Sequence, residues 1–182
     1  MSGEFTAFFY GTLMAPEIFY SVCYGESNPP AAIKSLHTLT PAVLHGYCRH
    51  RVQFADYPGI IAENGHSVRG IYATGLTEAN MHKLDYFEGS EYERKDVKVK
   101  LLRKDGDKEV EGEEVGAVAY VFSFPEQLER GEWDFEQFRR DKMRFWARGD
   151  WKYEQGARLP DSVMRDDNTD PVPDPKDKAA IN

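Results

Sequence analysis

A chain of 182 residues that is 41% hydrophobic, 13% aromatic and 30% charged can build one domain with a sizeable core. Its net charge of −8, without a long Lys or Arg run, argues against nucleic acid or membrane as main partner, and no apolar stretch approaches a membrane span. The N-terminus lacks a secretory signal pattern and the two cysteines, Cys23 and Cys48, stand apart, which predicts a reduced, cytoplasmic protein.

The N-terminal region predicts one strand and one helix. Aromatic residues dominate positions 5–10, which predicts a strand that ends at Gly11. Pro16 suits the first turn of a helix, and Gly25 is placed to end that helix. The prolines within residues 26–41 predict an irregular connection.

The middle of the chain predicts two strands followed by a helix. The strands are predicted over residues 42–54, with a bend at Gly46, and over residues 67–74. Between them, residues 56–59 carry a turn signal. The helix covers residues 77–87, with a threonine as N-cap and a glycine just beyond its end.

The next segment predicts an antiparallel pair of strands. Apolar and charged residues alternate over 92–102, which is typical of a strand with one buried and one wet face. Residues 103–114 predict a charged hairpin loop centred on Asp105-Gly106, and residues 115–122 predict the returning strand. The mixture of elements favours an α+β fold, a compact mixed sheet or small barrel flanked by helices.

The C-terminal region predicts a helix and then a tail. Asp134 can cap a helix over residues 134–148. Its predicted buried stripe consists of Phe135, Phe138, Phe145 and Trp146. Residues 160–182 are acidic and rich in proline, which predicts a mobile tail after a single domain over residues 1–159.

Glu88 is the first candidate for chemistry. A helix turns by about 100° per residue, so Met81, Leu84 and Glu88 share one stripe. A carboxylate on that apolar stripe is costly to bury while charged, so its pKa should rise towards the range of a general acid/base. Asp85 lies close beside it, and a coupled pair is conceivable. In the alternative interpretation the helix ends at Phe87 and Glu88 turns to water.

A second candidate is the Tyr10-Gly11-Thr12-Leu13 segment, which we call the glycine turn. A strand that breaks at glycine into a tight turn leaves backbone N–H groups without partners. Such groups can hold a carboxylate or a developing oxyanion. The alternative is a plain connection between a strand and a helix.

Other polar and thiol residues are interpreted as structural. His45, Cys48 and His50 are possible metal ligands, but on a strand His45 points away from the other two and no fourth ligand is evident, so no metal site is predicted. Cys23 lies on an apolar helix face and is interpreted as a small hydrophobe. Arg94, like its neighbours Glu91, Glu93 and Lys95, is interpreted as a surface charge.

Two motifs in this order resemble a known family. They are the glycine turn, and Leu84-Asp85-x-x-Glu88-Gly89 followed by Tyr92-x-Arg94, with a Tyr57-Pro58-Gly59 turn between them. Together they closely resemble the gamma-glutamylcyclotransferase-like family. The similarity is best to its plant-and-fungal avirulence-induced branch and to the gamma-glutamylamine cyclotransferases, and it runs from about residue 5 to residue 122.

The resemblance implies a fold and an activity. The fold would be a small closed barrel of mixed strands with helices against it. The residue matching Glu88 would be the catalytic acid/base, the glycine turn would hold the substrate through backbone amides, and Tyr92 and Tyr120 would line the pocket. A γ-glutamyl group would cyclise to 5-oxoproline and release an amine or amino acid, without metal or organic cofactor. Glutathione itself is the less favoured substrate, and a non-catalytic binding module in a stress or signalling pathway is the alternative.

Overall fold

The structure, a computed structural model, describes residues 3–129 and 133–141. Five strands lie in this part of the chain: Phe5–Phe9 (β1), Leu39–Arg51 (β2), Pro58–Leu76 (β3), Tyr92–Asp105 (β4) and Lys108–Phe122 (β5). Four α-helices accompany them: Pro16–Tyr24 (α1), Ala31–Lys34 (α2), Glu78–Glu88 (α3) and Phe135–Asp141 (α4). None of the helices in these described ranges is long and apolar enough to cross a membrane.

The strands close into a barrel in the order β1-β3-β2-β4-β5. β1 pairs with β5 in parallel, and every other neighbouring pair in this ring is antiparallel. The predicted α+β class, with a small closed barrel of mixed strands flanked by helices, is therefore confirmed.

Two apolar clusters lie on the two sides of the barrel wall. One draws on all five strands and no helix, so it fills the barrel interior. Its members include Phe8, Tyr10, Leu44, Ile60, Val68, Val99 and Ala119. The other cluster packs the helices on the outside of the wall, and its members include Phe9, Ile18, Phe19, Leu84, Tyr120, Trp133 and Phe138.

Local signals placed the ends of two helices correctly. Pro16 occupies the first turn of α1, and Gly25 ends that helix with a left-handed φ of 78°. Thr77 caps α3, and the Gly89 N–H at its end donates to the Asp85 carbonyl oxygen at 2.9 Å. The bend predicted at Gly46 is a β-bulge with a φ of 80°.

The N-terminal cap of α3 carries a measurable part of its stability. The Asn80 N–H donates to the Thr77 hydroxyl at 3.1 Å, while the Asn80 amide oxygen accepts the Thr77 N–H at 3.0 Å. We expect Thr77→Ala to lower the free energy of unfolding by about 1 kcal/mol, because both ends of this capping box are lost or weakened. Urea unfolding measures it. Thr77→Ser keeps the hydroxyl and is the matched control; an equal loss in both variants would contradict a role for the cap.

The prediction of a long hairpin loop over residues 103–114 is wrong. β4 continues to Asp105 and β5 begins at Lys108, so only Gly106 and Asp107 form the turn. Gly106 has a φ of 62°, the left-handed conformation that tight hairpin turns need. The charged residues here stand on an exposed two-stranded ribbon, where no buried face imposes the apolar alternation by which strands are found in a sequence.

Two other boundaries also differ from the sequence prediction. The connection over residues 26–41 contains the short helix α2 and the first residues of β2. β3 begins at Pro58 rather than near residue 67, because residues 58–62 pair with residues 47–51 of β2. Pairing with a neighbour is a long-range event that the local composition does not show.

The C-terminal helix is described only in part. The Gln137 N–H donates to the Asp134 carboxylate at 3.0 Å, as expected for a helix cap, and Phe138 is buried in the outer cluster. The predicted continuation to residue 148, with Phe145 and Trp146, lies outside the described residues, as does the predicted tail over 160–182.

Candidate functional site

One end of the barrel brings together the glycine turn, the end of α3 and the facing ends of β4 and β5. The Tyr10 hydroxyl donates to the Tyr120 carbonyl oxygen. The Tyr92 hydroxyl donates to the Pro58 carbonyl oxygen at 2.7 Å, and Gly11 packs against the Pro58 ring. Tyr10 and Tyr120 are thus in direct contact, and Gly11 and Tyr92 both contact Pro58.

The glycine turn is a single turn of 3₁₀-helix over Thr12–Met14, entered through Gly11. The Met14 N–H donates to the Gly11 carbonyl oxygen at 3.0 Å. Thr12 and Leu13 are buried, and the Leu13 side chain belongs to the outer cluster. The first N–H groups of such a turn have no acceptor within it, so the backbone is what the turn can offer to a ligand.

Glu88 is the last residue of α3 and is half-buried. Its negative charge influences two tyrosines, Tyr10 and Tyr120. Burial is the main cause of the raised pKa of Tyr10, and the charge of Glu88 is the second cause. Burial, the hydrogen bond to Asp85 and the charge of Glu88 together raise the pKa of Tyr120. The helix therefore includes Glu88 and places its carboxylate near two phenols, whereas the raised pKa expected for Glu88 itself stays a prediction.

Asp85 holds Tyr120 in place together with Arg94. The Arg94 Nε–H donates to Asp85 Oδ1 at 2.5 Å, and its Nη2 donates to Oδ2. The Tyr120 hydroxyl donates to the same Oδ1 at 2.8 Å. Arg94 was interpreted from the sequence as an ordinary surface charge. In the structure it forms a bidentate ion pair with the carboxylate of Asp85 in the site.

Asp85 is ionised in this arrangement. Desolvation alone would raise its pKa, but the hydrogen bonds from Arg94 and Tyr120 outweigh it and hold the pKa of Asp85 below its ordinary value. Asp85 thus forms an ion pair with Arg94 and accepts the hydrogen bond of Tyr120, while the coupled Asp85–Glu88 pair that the sequence left open stays a prediction.

We expect Asp85→Asn to weaken the fold at neutral pH and to have less effect in acid. A carboxyl with a lowered folded pKa contributes stability above the unfolded pKa of about 3.9, and that contribution is lost as the pH falls through the folded pKa. The expected loss at neutral pH is about 1 kcal/mol or less, because both partners are 37% exposed and solvent screens the pair. Urea unfolding at neutral and acidic pH measures it. Asp96→Asn, at an exposed position of β4, is the control, and a loss that does not shrink in acid would contradict the ion pair.

Sequence reasoning missed two further contacts of the site. The Arg49 Nη1 on β2 donates to the Tyr10 carbonyl oxygen at 2.9 Å, and its guanidinium lies 5.6 Å from the Trp133 ring centroid. The Tyr57 hydroxyl donates to a Glu91 carboxylate oxygen at 3.3 Å. These contacts join distant parts of the chain, and no local pattern signals them.

A cavity of about 440 Å³ lies beside the glycine turn. It is lined by Met14, Arg49, Arg69, Trp133, Asp134, Phe135 and Glu136. Its mixed aromatic and charged walls and its volume suit a small polar molecule. Arg49 lines this cavity and also donates to the Tyr10 carbonyl oxygen, so one side chain joins the cavity wall to the glycine turn.

The structure gives no support for a thiol nucleophile at Cys23. Cys23, on α1, is completely buried in the outer cluster. Burial raises the pKa of its thiol to about 12, so the reactive thiolate is scarce at neutral pH.

Comparisons with known proteins agree with the motifs. A family model described as gamma-glutamyl cyclotransferase, AIG2-like, matches residues 7–135. Two Arabidopsis thaliana proteins are similar along much of the chain. Protein AIG2 C is 35% identical over 121 residues, which cover 64% of this chain and 69% of the relative. Protein AIG2 B is 31% identical over 149 residues, which cover 79% of this chain and 84% of the relative.

Solved structures share the fold. A solution structure from Arabidopsis thaliana is 26% identical with a TM-score of 0.53, and the match covers 93% of this chain and 94% of the other. A solved gamma-glutamyl cyclotransferase is 18% identical with a TM-score of 0.50, over 69% of this chain and 68% of the other. At 18% identity the second likeness shows the fold alone.

Proposed function

We propose, from the premise that this chain belongs to the gamma-glutamyl cyclotransferase, AIG2-like family, that it cyclises the γ-glutamyl group of a small molecule to 5-oxoproline. An amine or amino acid is the second product. The observation that carries the proposal is the position of Glu88, a half-buried carboxylate at the end of α3 whose charge helps to raise the pKa values of Tyr10 and Tyr120.

The reaction is an intramolecular acyl transfer. The α-amino nitrogen of the γ-glutamyl unit attacks its own γ-carbonyl carbon, a new C–N bond closes the five-membered lactam, and the original amide C–N bond breaks. The α-ammonium loses a proton before the attack, and the leaving nitrogen gains one. Since the nucleophile and the carbonyl are in the same molecule, the protein mainly has to fix one conformation and move one proton.

Glu88 is the group that we assign to this proton transfer. Asp85 is held ionised by Arg94, so it is poorly suited to accept a proton. Tyr10 and Tyr120 keep their protons at neutral pH because their pKa values are raised, so they act as hydrogen-bond donors and not as bases. One carboxyl group can take the proton from the ammonium and return it to the leaving nitrogen.

The remaining roles are for binding. The backbone amides of Gly11, Thr12 and Leu13 would bind the α-carboxylate or the tetrahedral oxyanion. Tyr92 and Tyr120 would border the γ-glutamyl group. The cavity beside the turn would receive the leaving amine, which is the part of the substrate that differs between γ-glutamyl compounds. A cytoplasmic location belongs to the same proposal, supported by two cysteines that form no disulfide.

A panel of substrates tests the function. The full chain is incubated with γ-glutamyl dipeptides and with γ-glutamyl amines, and 5-oxoproline is measured in each reaction. Release of 5-oxoproline from at least one compound, without added cofactor, is the expected result. Saturable binding of panel members without any product would overturn the enzyme and favour a binding module in a stress or signalling pathway.

A further inference from the structure

A cluster of metal-binding side chains lies on the outer surface of the barrel, apart from the candidate site. It contains Cys48 and His50 of β2 and Glu63 of β3. One ligand atom from each of the three lies within 4.8 Å of the other two. Cys48 pairs with Ile61, whose neighbour Ile60 points into the barrel, so by strand alternation the cluster faces outwards.

The distance between two members of the cluster matches that of neighbouring ligands in a metal site. His50 Nε2 lies 3.4 Å from Glu63 Oε2, and His66 Nε2 lies 3.3 Å from Glu63 Oε1. Two ligands bound at about 2.0–2.3 Å to one tetrahedral Zn²⁺ stand about 3.3–3.8 Å apart. The distance between His50 and Glu63 therefore fits two ligands of one ion, whereas His66 contacts the other oxygen of Glu63 and is not a member of the cluster.

We propose that Cys48, His50 and Glu63 bind one divalent metal ion of the zinc class. A thiolate and an imidazole select Zn²⁺ and its neighbours over Mg²⁺ and Ca²⁺, which prefer oxygen ligands. The sequence alone predicts no metal site, because His45 points away from Cys48 and His50 and no fourth ligand is evident. The third ligand, Glu63, comes from β3, which pairs antiparallel with β2.

The metal would act on structure rather than on the cyclisation. It would link β2 to β3 close to the connection between residues 51 and 58, where the pairing of the two strands ends. An ion that binds the folded chain and not the unfolded chain stabilises the folded state by mass action. His45, the other histidine of β2, forms a side-chain contact with Glu111 of β5 at 2.7 Å. Because this contact lies outside the cluster, a variant of His45 is a control for loss of a histidine from the same strand.

Cobalt substitution tests the site. The full chain without a histidine tag is stripped with a chelator and titrated with Co²⁺, which has an absorption band from thiolate to metal when a cysteine binds it. We expect this band to saturate at one equivalent, to be displaced by Zn²⁺, and to disappear in Cys48→Ser. His50→Ala and Glu63→Gln should weaken Co²⁺ binding by at least about tenfold, whereas His45→Ala should bind like the wild type.

Three outcomes would overturn the site. They are no thiolate band at one equivalent in the wild type, the same band in Cys48→Ser, or an equal loss of affinity in His45→Ala. Circular dichroism of each variant without metal shows that the barrel is still folded. Because these readouts do not involve 5-oxoproline, failure of the metal site and failure of the proposed cyclisation remain distinguishable.

Discussion

Glu88→Gln is expected to lower kcat/KM for 5-oxoproline release by about 10²–10⁴-fold, the usual contribution of a positioned general acid/base. Glutamine keeps the size and the hydrogen-bonding shape of the side chain but cannot carry a proton between two nitrogens. The fold should survive, because Glu88 is the last residue of α3 and the caps of that helix are elsewhere. Product release by the purified variant, with circular dichroism for folding, measures both.

The matched control is Glu93→Gln, which removes an exposed carboxylate of β4 that pairs with Lys95 at 3.8 Å. It should retain wild-type activity. Full activity of Glu88→Gln would remove Glu88 from the mechanism and leave Asp85 and Glu91 as the carboxyls to test. A loss that appears equally in Glu93→Gln would point to a general effect of net charge on substrate binding rather than to proton transfer.

What the sequence could predict was set by local rules. The caps of α3 follow from Thr77 and Gly89, and the end of α1 follows from Gly25. Each of these residues acts on backbone groups within one turn of its helix. Once that helix was placed, its periodicity set Glu88 on the same side as Leu84. The family motifs then identified the fold as a small barrel, because residue propensities alone do not distinguish that barrel from other α+β folds.

What the sequence could not predict depends on pairing between distant segments. Arg94 looked like a surface charge until β4 placed it against Asp85, and Glu63 became a possible metal ligand only through its register with β2. Likewise, the hairpin of β4 and β5 carries no buried alternation at its tip, so its length could not be read from the residues. For Glu63 and for the hairpin the missing information is the strand register, and for Arg94 it is how β4 packs against α3.

Gly11→Ala is expected to damage the site through one close contact. A Cβ at this position would lie 2.9 Å from Pro58 Cγ and 3.0 Å from Cδ. Pro58 has little room to retreat, because its carbonyl accepts the Tyr92 hydroxyl and the adjoining Gly59 packs against Phe122. The φ of Gly11, −124°, lies outside the left-handed region that favours glycine, so the close contact with Pro58 is the effect to test.

We therefore expect the glycine turn to move rather than Pro58. A displacement of about 1 Å at a substrate-holding backbone can cost about 10²-fold in rate, and overpacking costs about 1–3 kcal/mol of stability. The measurements are kcat/KM for 5-oxoproline release and urea unfolding. Gly116→Ala is the control, since a Cβ there meets nothing within 4 Å.

The double variant Gly11→Ala/Pro58→Ala isolates the cause. Pro58→Ala removes Cγ and Cδ, the two atoms that the new methyl group would strike, and leaves the carbonyl that binds Tyr92. The turn should then return towards its native position, so the double variant should be more active than Gly11→Ala alone. No recovery would mean that alanine disturbs the turn by another route, and full activity of the single variant would show that the turn tolerates the contact. Recovery would tie the position of the glycine turn to activity, which is the step that the proposed substrate-holding role of its backbone requires.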